Sequence, residues 1–184
     1  MEGKVVYQID SQDIIRSVNA DWVAFAQENQ AEDLSEGVIG RSIWEFMSYG
    51  LVGKLYKELF DAVREARREV RVAFRCDNAQ LIRIMELCIW PREEQYLEIH
   101  SKTVLEQPRG QPLREEVLSQ GMVRGIPMCS KCNKIYAEQT GAWMEISDAL
   151  TAALIEQPLK VSFGLCERCT DNLTRTIERL KKQL

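Results

Sequence analysis

The sequence predicts an α+β fold, in which an antiparallel sheet with its helices on one face is followed by a small cysteine-containing module. The first observation is a hydrophobic period that changes from 2 to 3.6 and back to 2 along residues 5–105. The second is a pair of C-x-x-C motifs after residue 125. The third is an ordinary globular composition, 45% hydrophobic and 28% charged, in a chain of 184 residues.

The charge and hydropathy of the chain exclude several classes of protein. A formal net charge of −4 opposes binding to nucleic acid or anionic membranes by bulk electrostatics. No apolar run approaches the ~18 residues that a transmembrane helix needs. Gln8 and Asp10 interrupt the N-terminus too early for an apolar signal segment. We therefore expect a cytoplasmic protein with no membrane partner, in which thiols stay reduced.

The N-terminal residues predict a hairpin and a helix. Val5 to Ile9 and Ile14 to Val18 form the two strands, and the polar residues between them form the turn. Asn19 is suited to cap the helix that follows. The apolar residues of that helix are Trp22, Val23, Phe25 and Ala26.

Two further helices precede the next strands. Ser42 caps a short helix that offers Ile43, Trp44, Phe46 and Met47 to the core. The second helix ends near Ala66 and has one apolar stripe, formed by Val52, Leu55, Tyr56, Leu59, Phe60 and Val63. Its opposite face carries Lys54, Lys57, Glu58, Asp61 and Arg64.

Three strands complete this region. Val70 to Cys76 alternates between apolar and other residues, as a half-buried strand does. Asp77-Asn78 turns the chain into a strand from Leu81 to Trp90, and a strand from Tyr96 to Leu105 follows. The order of two strands, several helices and three antiparallel strands predicts a sheet with helices on one face.

Residues 3–105 resemble a PAS domain, the sensory module of many bacterial signalling proteins. The resemblance lies in Asp13-Ile14-Ile15, Val18-Asn19-Ala20-Asp21-Trp22, Val38-Ile39-Gly40-Arg41-Ser42-Ile43-Trp44 and Phe74-Arg75-Cys76-Asp77. It implies a sensory domain over residues 1–105 that acts in signal transduction through a protein partner. It also implies a homodimer, since PAS domains commonly pair.

A domain of this kind has a candidate ligand pocket. The apolar side chains that are candidates to line it are Trp22, Phe25, Trp44, Phe46, Phe74, Met85 and Leu87. The alternative is that these side chains fill the core and leave no cavity. They do not identify a ligand, because PAS-like domains bind many molecules or none.

A polar segment that contains proline and glycine, residues 106–125, predicts a linker, within which Leu113 to Gln120 predicts a short helix. The module that follows, residues 126–184, contains two cysteine pairs. These are Cys129 with Cys132 and Cys166 with Cys169. Two residues between cysteines let both sulfurs of a turn face one ion, and four thiolates complete a tetrahedron around zinc.

The length of the module favours a metal. Fewer than about 60 residues form a marginal core, and a structural zinc ion can contribute on the order of 10–16 kcal/mol. Iron bound by four thiolates and a redox-active dithiol are the alternatives. Catalytic zinc is not expected, because four sulfur ligands leave no open position for water.

The last helix is expected to begin at or just after the second cysteine pair, where its dipole stabilises thiolate charge. Its apolar stripe consists of Leu173, Ile177, Leu180 and Leu184. The order of elements resembles a treble-clef zinc finger. Residues 128–135, Gly141-Ala142-Trp143 and Ser162 to Cys169 resemble a cysteine module appended to bacterial PAS and receiver proteins. That family often has His at the position of Ser162, so a fifth, histidine ligand is not expected here.

The other reactive side chains do not form a catalytic group. His100, the single histidine, is expected to face solvent beside Glu98 and Lys102, and Cys76 and Cys88 are expected to be buried small residues. The sequence therefore predicts a non-catalytic signal-sensing or protein-interaction protein with a structural zinc site. The alternatives are a nucleic-acid-binding transcriptional regulator that uses the zinc module, and a thiol/zinc redox sensor.

Overall fold

The computed structural model shows a mixed α+β chain that forms two compact units, neither of them continuous in sequence. The first unit consists of Met1–Ala73, Met85–Val104 and Leu173–Leu184, and the second of Phe74–Ile84 and Leu105–Asn172. The structure describes residues 4–28, 34–35, 37–47, 50–110, 119–120, 125–156 and 160–182. Domain boundaries at 105 and 126 stay a prediction, because the compact units follow spatial proximity and not chain order.

The first sheet is antiparallel and contains the five predicted strands. They are β1 (Val5–Ile9), β2 (Ile15–Val18), β3 (Val70–Arg75), β4 (Leu81–Pro91) and β5 (Leu97–Pro108), in the spatial order β2-β1-β5-β4-β3. In β1, Tyr7 lies opposite Ile99 of β5 and Val18 of β2. Tyr7 and Ile99 are buried, as are the neighbouring pair Ile9 and Leu97. β5 continues to Pro108 and thus includes the start of the predicted linker.

The helices of the first unit begin where the sequence predicts. Asn19 caps α1 (Ala20–Glu28), and its Oδ1 accepts a hydrogen bond from the Trp22 amide at 3.0 Å. Ser42 and Glu45 form a capping box on a short 3-10 helix. The second α-helix, α2 (Leu51–Ala66), buries the whole predicted stripe, namely Val52, Leu55, Tyr56, Leu59, Phe60 and Val63.

Arg64 lies in the interior, although the sequence places it on the charged face of α2. Only 7% of its side chain is exposed, and its Nη2 is 2.6 Å from Asp13 Oδ1 and 2.8 Å from the Asp10 carbonyl. Its Nε donates to the Gln95 carbonyl at 3.0 Å. Asp13 has a positive φ of 62° and also accepts a hydrogen bond from Trp44 Nε1. The helical period explains the difference, because a residue four positions after buried Phe60 lies on the same stripe.

His100 is likewise buried, and the expectation that it faces solvent is wrong. Its ring stacks on Trp90 with the ring centroids 5.0 Å apart, and its Nε2 is 2.6 Å from Glu98 Oε1. Arg92 and Gln8 also donate hydrogen bonds to Glu98, at 2.6 and 2.8 Å. His100 is therefore part of a packed polar cluster around Glu98, which is formed by tertiary contacts.

These contacts predict a pH dependence of stability that can be assigned to Glu98. The hydrogen bond from Arg92, followed by those from Gln8 and His100, lowers the pKa of Glu98 from 4.5 to about 2. A carboxyl group whose pKa is lower in the folded state stabilises the fold above its unfolded pKa and loses that effect as the pH falls. We expect Glu98→Gln to lower the free energy of unfolding at pH 7. The difference from the wild type should shrink between about pH 4.5 and pH 2, measured by urea unfolding; a difference that does not change with pH would contradict this assignment.

The second unit contains a five-stranded sheet in the order β6-β10-β7-β8-β9. The strands are β6 (Ser119–Gln120), β7 (Ile126–Cys129), β8 (Ile135–Ala137), β9 (Ala142–Met144) and β10 (Lys160–Gly164), and α3 is Ile146–Thr151. β10 is parallel to β6 and β7, whereas β8 is antiparallel to β7 and β9. The buried core of this unit is formed by Met128, Ile135, Ile146, Ala149 and Val161.

The C-terminal helix, α4 (Glu167–Lys181), follows β10 directly. Its apolar residues Leu173, Ile177 and Leu180 are buried as predicted, whereas Leu184 lies outside the described residues. The predicted helix over Leu113 to Gln120 also falls mostly outside them, and its last two residues form β6. Among the helices that the structure describes, none combines the length and the apolar character needed to cross a bilayer.

Candidate metal centre

The first cysteine pair lies in a tight turn between β7 and β8. Cys129 ends β7, its amide donates to the Lys134 carbonyl at 2.8 Å, and its own carbonyl accepts from Asn133 at 2.8 Å. Asn133 has a φ of 55°, a left-handed conformation that Asn tolerates better than most residues. These two hydrogen bonds close the turn that contains Cys132.

The second cysteine pair lies at the start of α4. The carbonyl of Cys166 accepts hydrogen bonds from the amides of Cys169 and Thr170, at 3.0 and 2.9 Å. Cys166 therefore occupies the N-cap position, and Cys169 belongs to the first helical turn, as predicted. Amide groups and the positive end of the helix dipole stabilise negative charge at this position.

The sheet brings the two pairs together. β10 runs parallel to β7, so that Gly164 lies opposite Cys129, and the Ser130 amide donates to the Gly164 carbonyl at 2.9 Å. The turn after Cys129 and the helix start after Gly164 consequently leave the same end of the sheet. Parallel strand pairing, which the sequence pattern does not predict, thus determines the position of the second pair.

The four sulfurs have the separation that a tetrahedral ion requires. The Sγ atoms of Cys129, Cys132, Cys166 and Cys169 all lie within 4.8 Å of one another, and those of Cys132 and Cys166 are 3.8 Å apart. A tetrahedron with metal–sulfur bonds of ~2.3 Å has sulfur–sulfur edges of about 3.8 Å. The four predicted ligands therefore converge on one point and fit a single metal ion.

Neighbouring groups favour ionisation of Cys129 and oppose that of Cys132 and Cys169. The thiol of Cys132 and backbone amides, including those of Cys166 and Lys131, donate hydrogen bonds to Cys129 and lower its pKa to about 4. Burial, the hydrogen bond with Cys166 and the charge of Cys129 raise the pKa of Cys169 to about 12. The hydrogen bond with Cys129 also raises the pKa of Cys132. Four adjacent thiolates consequently need a cation between them.

The apolar surroundings of the sulfurs separate them from most solvent. Trp143 and Leu165 pack against the cluster, in which three cysteines are buried and Cys132 is half-buried. Ser162, at the position where the resembling family often has histidine, donates its hydroxyl to the Gly125 carbonyl at 3.1 Å. Among the described residues, the candidate ligands of this site are the four sulfurs.

Several charged residues beside the site are not identified by the sequence patterns. Arg75, Asp77 and Arg109 belong to the same unit as the cysteines and form a hydrogen-bonded group. A turn motif, Cys-Asp-Asn, is the only local signal for Asp77, and such a motif is equally typical of an exposed turn. Their role depends on long-range contacts, which a single sequence does not reveal.

The candidate pocket residues are divided between the two units. Phe74 belongs to the second unit, and the other candidates, Trp22, Phe25, Trp44, Phe46, Met85 and Leu87, belong to the first. Trp22 packs edge-on against Tyr7, and its Nε1 donates to the Leu34 carbonyl at 2.7 Å. Trp44 lies 5.5 Å from the ring of Phe60. These contacts are those of packed side chains, and a ligand pocket formed by the seven residues stays a prediction.

Cys76 and Cys88 lie outside the four-cysteine cluster, and their surroundings do not favour the thiolate form. Cys88 is buried and Cys76 is half-buried, and burial raises the pKa of both thiols. A thiol with a raised pKa is a weak nucleophile at neutral pH. The predicted burial is confirmed for Cys88, whereas Cys76 is half-buried and follows the last residue of β3.

Comparison with known proteins adds no assignment to this geometry. A scan against protein-family models finds no match, and a search of curated proteins finds none either.

Proposed function

We propose that this chain is a non-catalytic signal-sensing or protein-interaction protein, with a PAS-like domain and a structural zinc site in a treble-clef-like module. The observation that carries the proposal is the convergence of four cysteine sulfurs within 4.8 Å of one another. Paired cysteines of this spacing bind metal more often than they form disulfides in reducing compartments. The proposal places the protein in the cytoplasm.

Zinc is the metal that the site favours, and iron is the competitor. Both ions accept four thiolates in a tetrahedron, but zinc is the usual ion of structural sites with two C-x-x-C pairs. With four protein ligands, the ion has no open position for water or substrate. The role of the metal in this proposal is therefore to hold the turn after β7 and the start of α4 together.

The sensory part of the proposal rests on the first unit. Its strands and helices follow the order on which the PAS resemblance is based, with α1 and α2 between β2 and β3 and three antiparallel strands at the end. The one histidine, His100, stacks on Trp90 and contacts Glu98, an arrangement that commits its ring to packing. The order of elements supports a PAS-like module, whose proposed role is to bind a ligand or protein partner, and PAS-like pairing suggests a homodimer.

Elemental analysis of protein purified without added metal tests this function. We expect one zinc ion per chain and, after exchange for Co(II), the charge-transfer absorption of a tetrahedral thiolate site. Native mass spectrometry of the same sample measures the number of chains and detects a retained small molecule. Metal-free, fully folded protein would refute the zinc site, and catalytic turnover of a metabolite would refute the non-catalytic role.

A redox sensor is the second candidate, and one observation favours it. Cys132 is half-buried, and a cavity of about 200 Å³ lies beside the site, lined by Lys134, Trp143, Cys166, Glu167 and Arg168. A small oxidant could therefore reach the sulfurs. Dilute hydrogen peroxide should then release zinc in proportion to thiol loss, whereas unchanged zinc content would leave a purely structural ion.

A further inference from the structure

The turn between β3 and β4 belongs to the same compact unit as the cysteines. The amide of Arg75 donates to the carbonyl of Lys131 at 2.8 Å. Lys131 lies between the two ligands of the first pair, Cys129 and Cys132. The last residue of β3 is thus hydrogen-bonded to the turn that presents two of the four sulfurs.

Asp77 organises this contact from a buried position. Its side chain is 2% exposed and accepts hydrogen bonds from the guanidinium of Arg75, including one from Nε at 3.1 Å. Arg109 Nη2 donates to the same carboxylate at 2.9 Å, and the Arg83 amide donates at 3.1 Å. Arg109 also donates to the Asn78 carbonyl at 2.9 Å. One buried carboxylate therefore holds two guanidinium groups and the turn after β3.

The third guanidinium nitrogen of Arg75 connects the network to the end of the cysteine turn at Lys134. Its Nη1 is 2.6 Å from Glu145 Oε2, and Glu145 also lies 4.0 Å from Lys134 Nζ. The carbonyl of Lys134 accepts the hydrogen bond from Cys129 that closes the turn. The network consequently reaches the turn at Lys131 and again at Lys134.

The charges of this network suit an anionic metal centre. Four thiolates around a divalent cation have a net charge of −2, and the three positive charges of Arg75, Arg109 and Lys134 outnumber the two negative charges of Asp77 and Glu145 by one. Burial alone lowers the pKa of Arg75, but the hydrogen bonds with Asp77 and Glu145 raise it overall. Arg75 thus stays protonated although its side chain is only 15% exposed.

We infer that Asp77 is a positioning residue of the metal centre, which acts through Arg75 to hold Cys129 and Cys132 in ligating geometry. This inference rests on the proposed metal site. Groups that orient ligands from outside the coordination sphere commonly change metal affinity by 10- to 100-fold when they are replaced. It follows that the metal-binding unit includes residues 74–84 and Arg109, and that residues 126–184 alone lack part of the support for the ligands.

The test compares zinc affinity in full-length variants by competition with a chromophoric chelator. We expect Asp77→Asn to weaken zinc binding by about 10- to 100-fold and to speed zinc release. Glu145→Gln should weaken zinc binding less, because the side chain of Glu145 is more exposed than that of Asp77 and contacts Arg75 through one nitrogen only. Glu69→Gln is the matched control, because Glu69 pairs with Arg71 on the surface and should leave zinc affinity unchanged.

The absorption spectrum of the Co(II)-loaded protein separates positioning from general stability. A positioning role predicts that Asp77→Asn changes the thiolate-to-Co(II) charge-transfer bands, which depend on the ligand geometry, whereas a loss of stability alone leaves the bands of the loaded protein unchanged. An unchanged Co(II) spectrum in Asp77→Asn, or wild-type zinc affinity in both variants, would overturn the inference. Should Asp77→Asn not fold, Glu145→Gln alone decides by its zinc affinity. A wild-type protein that binds no zinc would instead refute the metal site itself.

Discussion

Removal of the metal is expected to unfold the second compact unit. Its buried apolar core is small, since only Met128, Ile135, Ile146, Ala149 and Val161 are buried in the described cluster. A structural zinc ion contributes on the order of 10–16 kcal/mol of apparent binding free energy, which exceeds the stability of most whole domains. Without the ion, Cys132 and Cys169 are protonated at neutral pH, and no metal–sulfur bond joins the turn after β7 to the start of α4. A chelator should therefore abolish the near-UV circular dichroism of Trp143 and release one ion per chain.

Serine variants connect this effect to the four ligands. Cys129→Ser and Cys166→Ser each remove one thiolate, and we expect both proteins to be purified with little metal and with the second unit unfolded. Cys88→Ser is the matched control, because Cys88 is buried, lies outside the cluster and belongs to the first unit. Full metal content in Cys129→Ser, or metal loss in Cys88→Ser, would show that the ion is bound elsewhere.

Replacement of Arg64 by Ala should destabilise the first unit by about 3–5 kcal/mol. The guanidinium and its partner Asp13 are 7% and 6% exposed, and the same guanidinium bonds to the carbonyls of Asp10 and Gln95. Removing the guanidinium leaves the buried carboxylate of Asp13 with only the exposed Lys57 Nζ, 3.8 Å away, as a countercharge. Urea unfolding followed by far-UV circular dichroism measures the loss.

Two variants determine whether the loss comes from the buried charge. Asp13→Asn keeps the size of the side chain but removes its charge, and it should cost a comparable amount. Arg71→Ala removes an exposed ion pair with Glu69, whose side chains are 55% and 51% exposed, and should cost about 0–1 kcal/mol. Equal effects of Arg64→Ala and Arg71→Ala would mean that the interior pair contributes no more than a surface pair.

Local patterns predicted most of the elements because each pattern has a local cause. The apolar stripe from Val52 to Val63 is a helical period, and α2 buries all of it. Asn19 and Ser42 bond to amides two or three residues away, so their capping roles are properties of short segments. The predictions were wrong for Arg64 and His100, two polar side chains that the charged pattern around them assigned to solvent. Arg64 pairs with Asp13 and His100 stacks on Trp90, and both partners lie outside the element of the residue that they contact.

The candidate site shows the same division between local and distant causes. The C-x-x-C spacing identifies all four cysteines of the cluster, because two intervening residues are enough to direct two sulfurs towards one point. The proposed support by Asp77 comes from a turn about 50 residues before Cys129, and no spacing rule relates the two residues. Hydrogen bonds from Arg75 to Lys131 and Glu145 become visible only when the strands are placed.

The sequence by itself determined the helices and strands of residues 5–105, the last helix, and which four cysteines converge on one point, since those properties depend on hydrophobic period, capping and short spacing. Only the tertiary structure decided that β10 pairs with β7 in parallel, that Arg64 and Asp77 are buried with their charges compensated, and that neither compact unit is continuous in sequence. The physical reason is that burial and ion pairing are set by partners far away in the chain, and a charged residue shows no local sign of having such a partner.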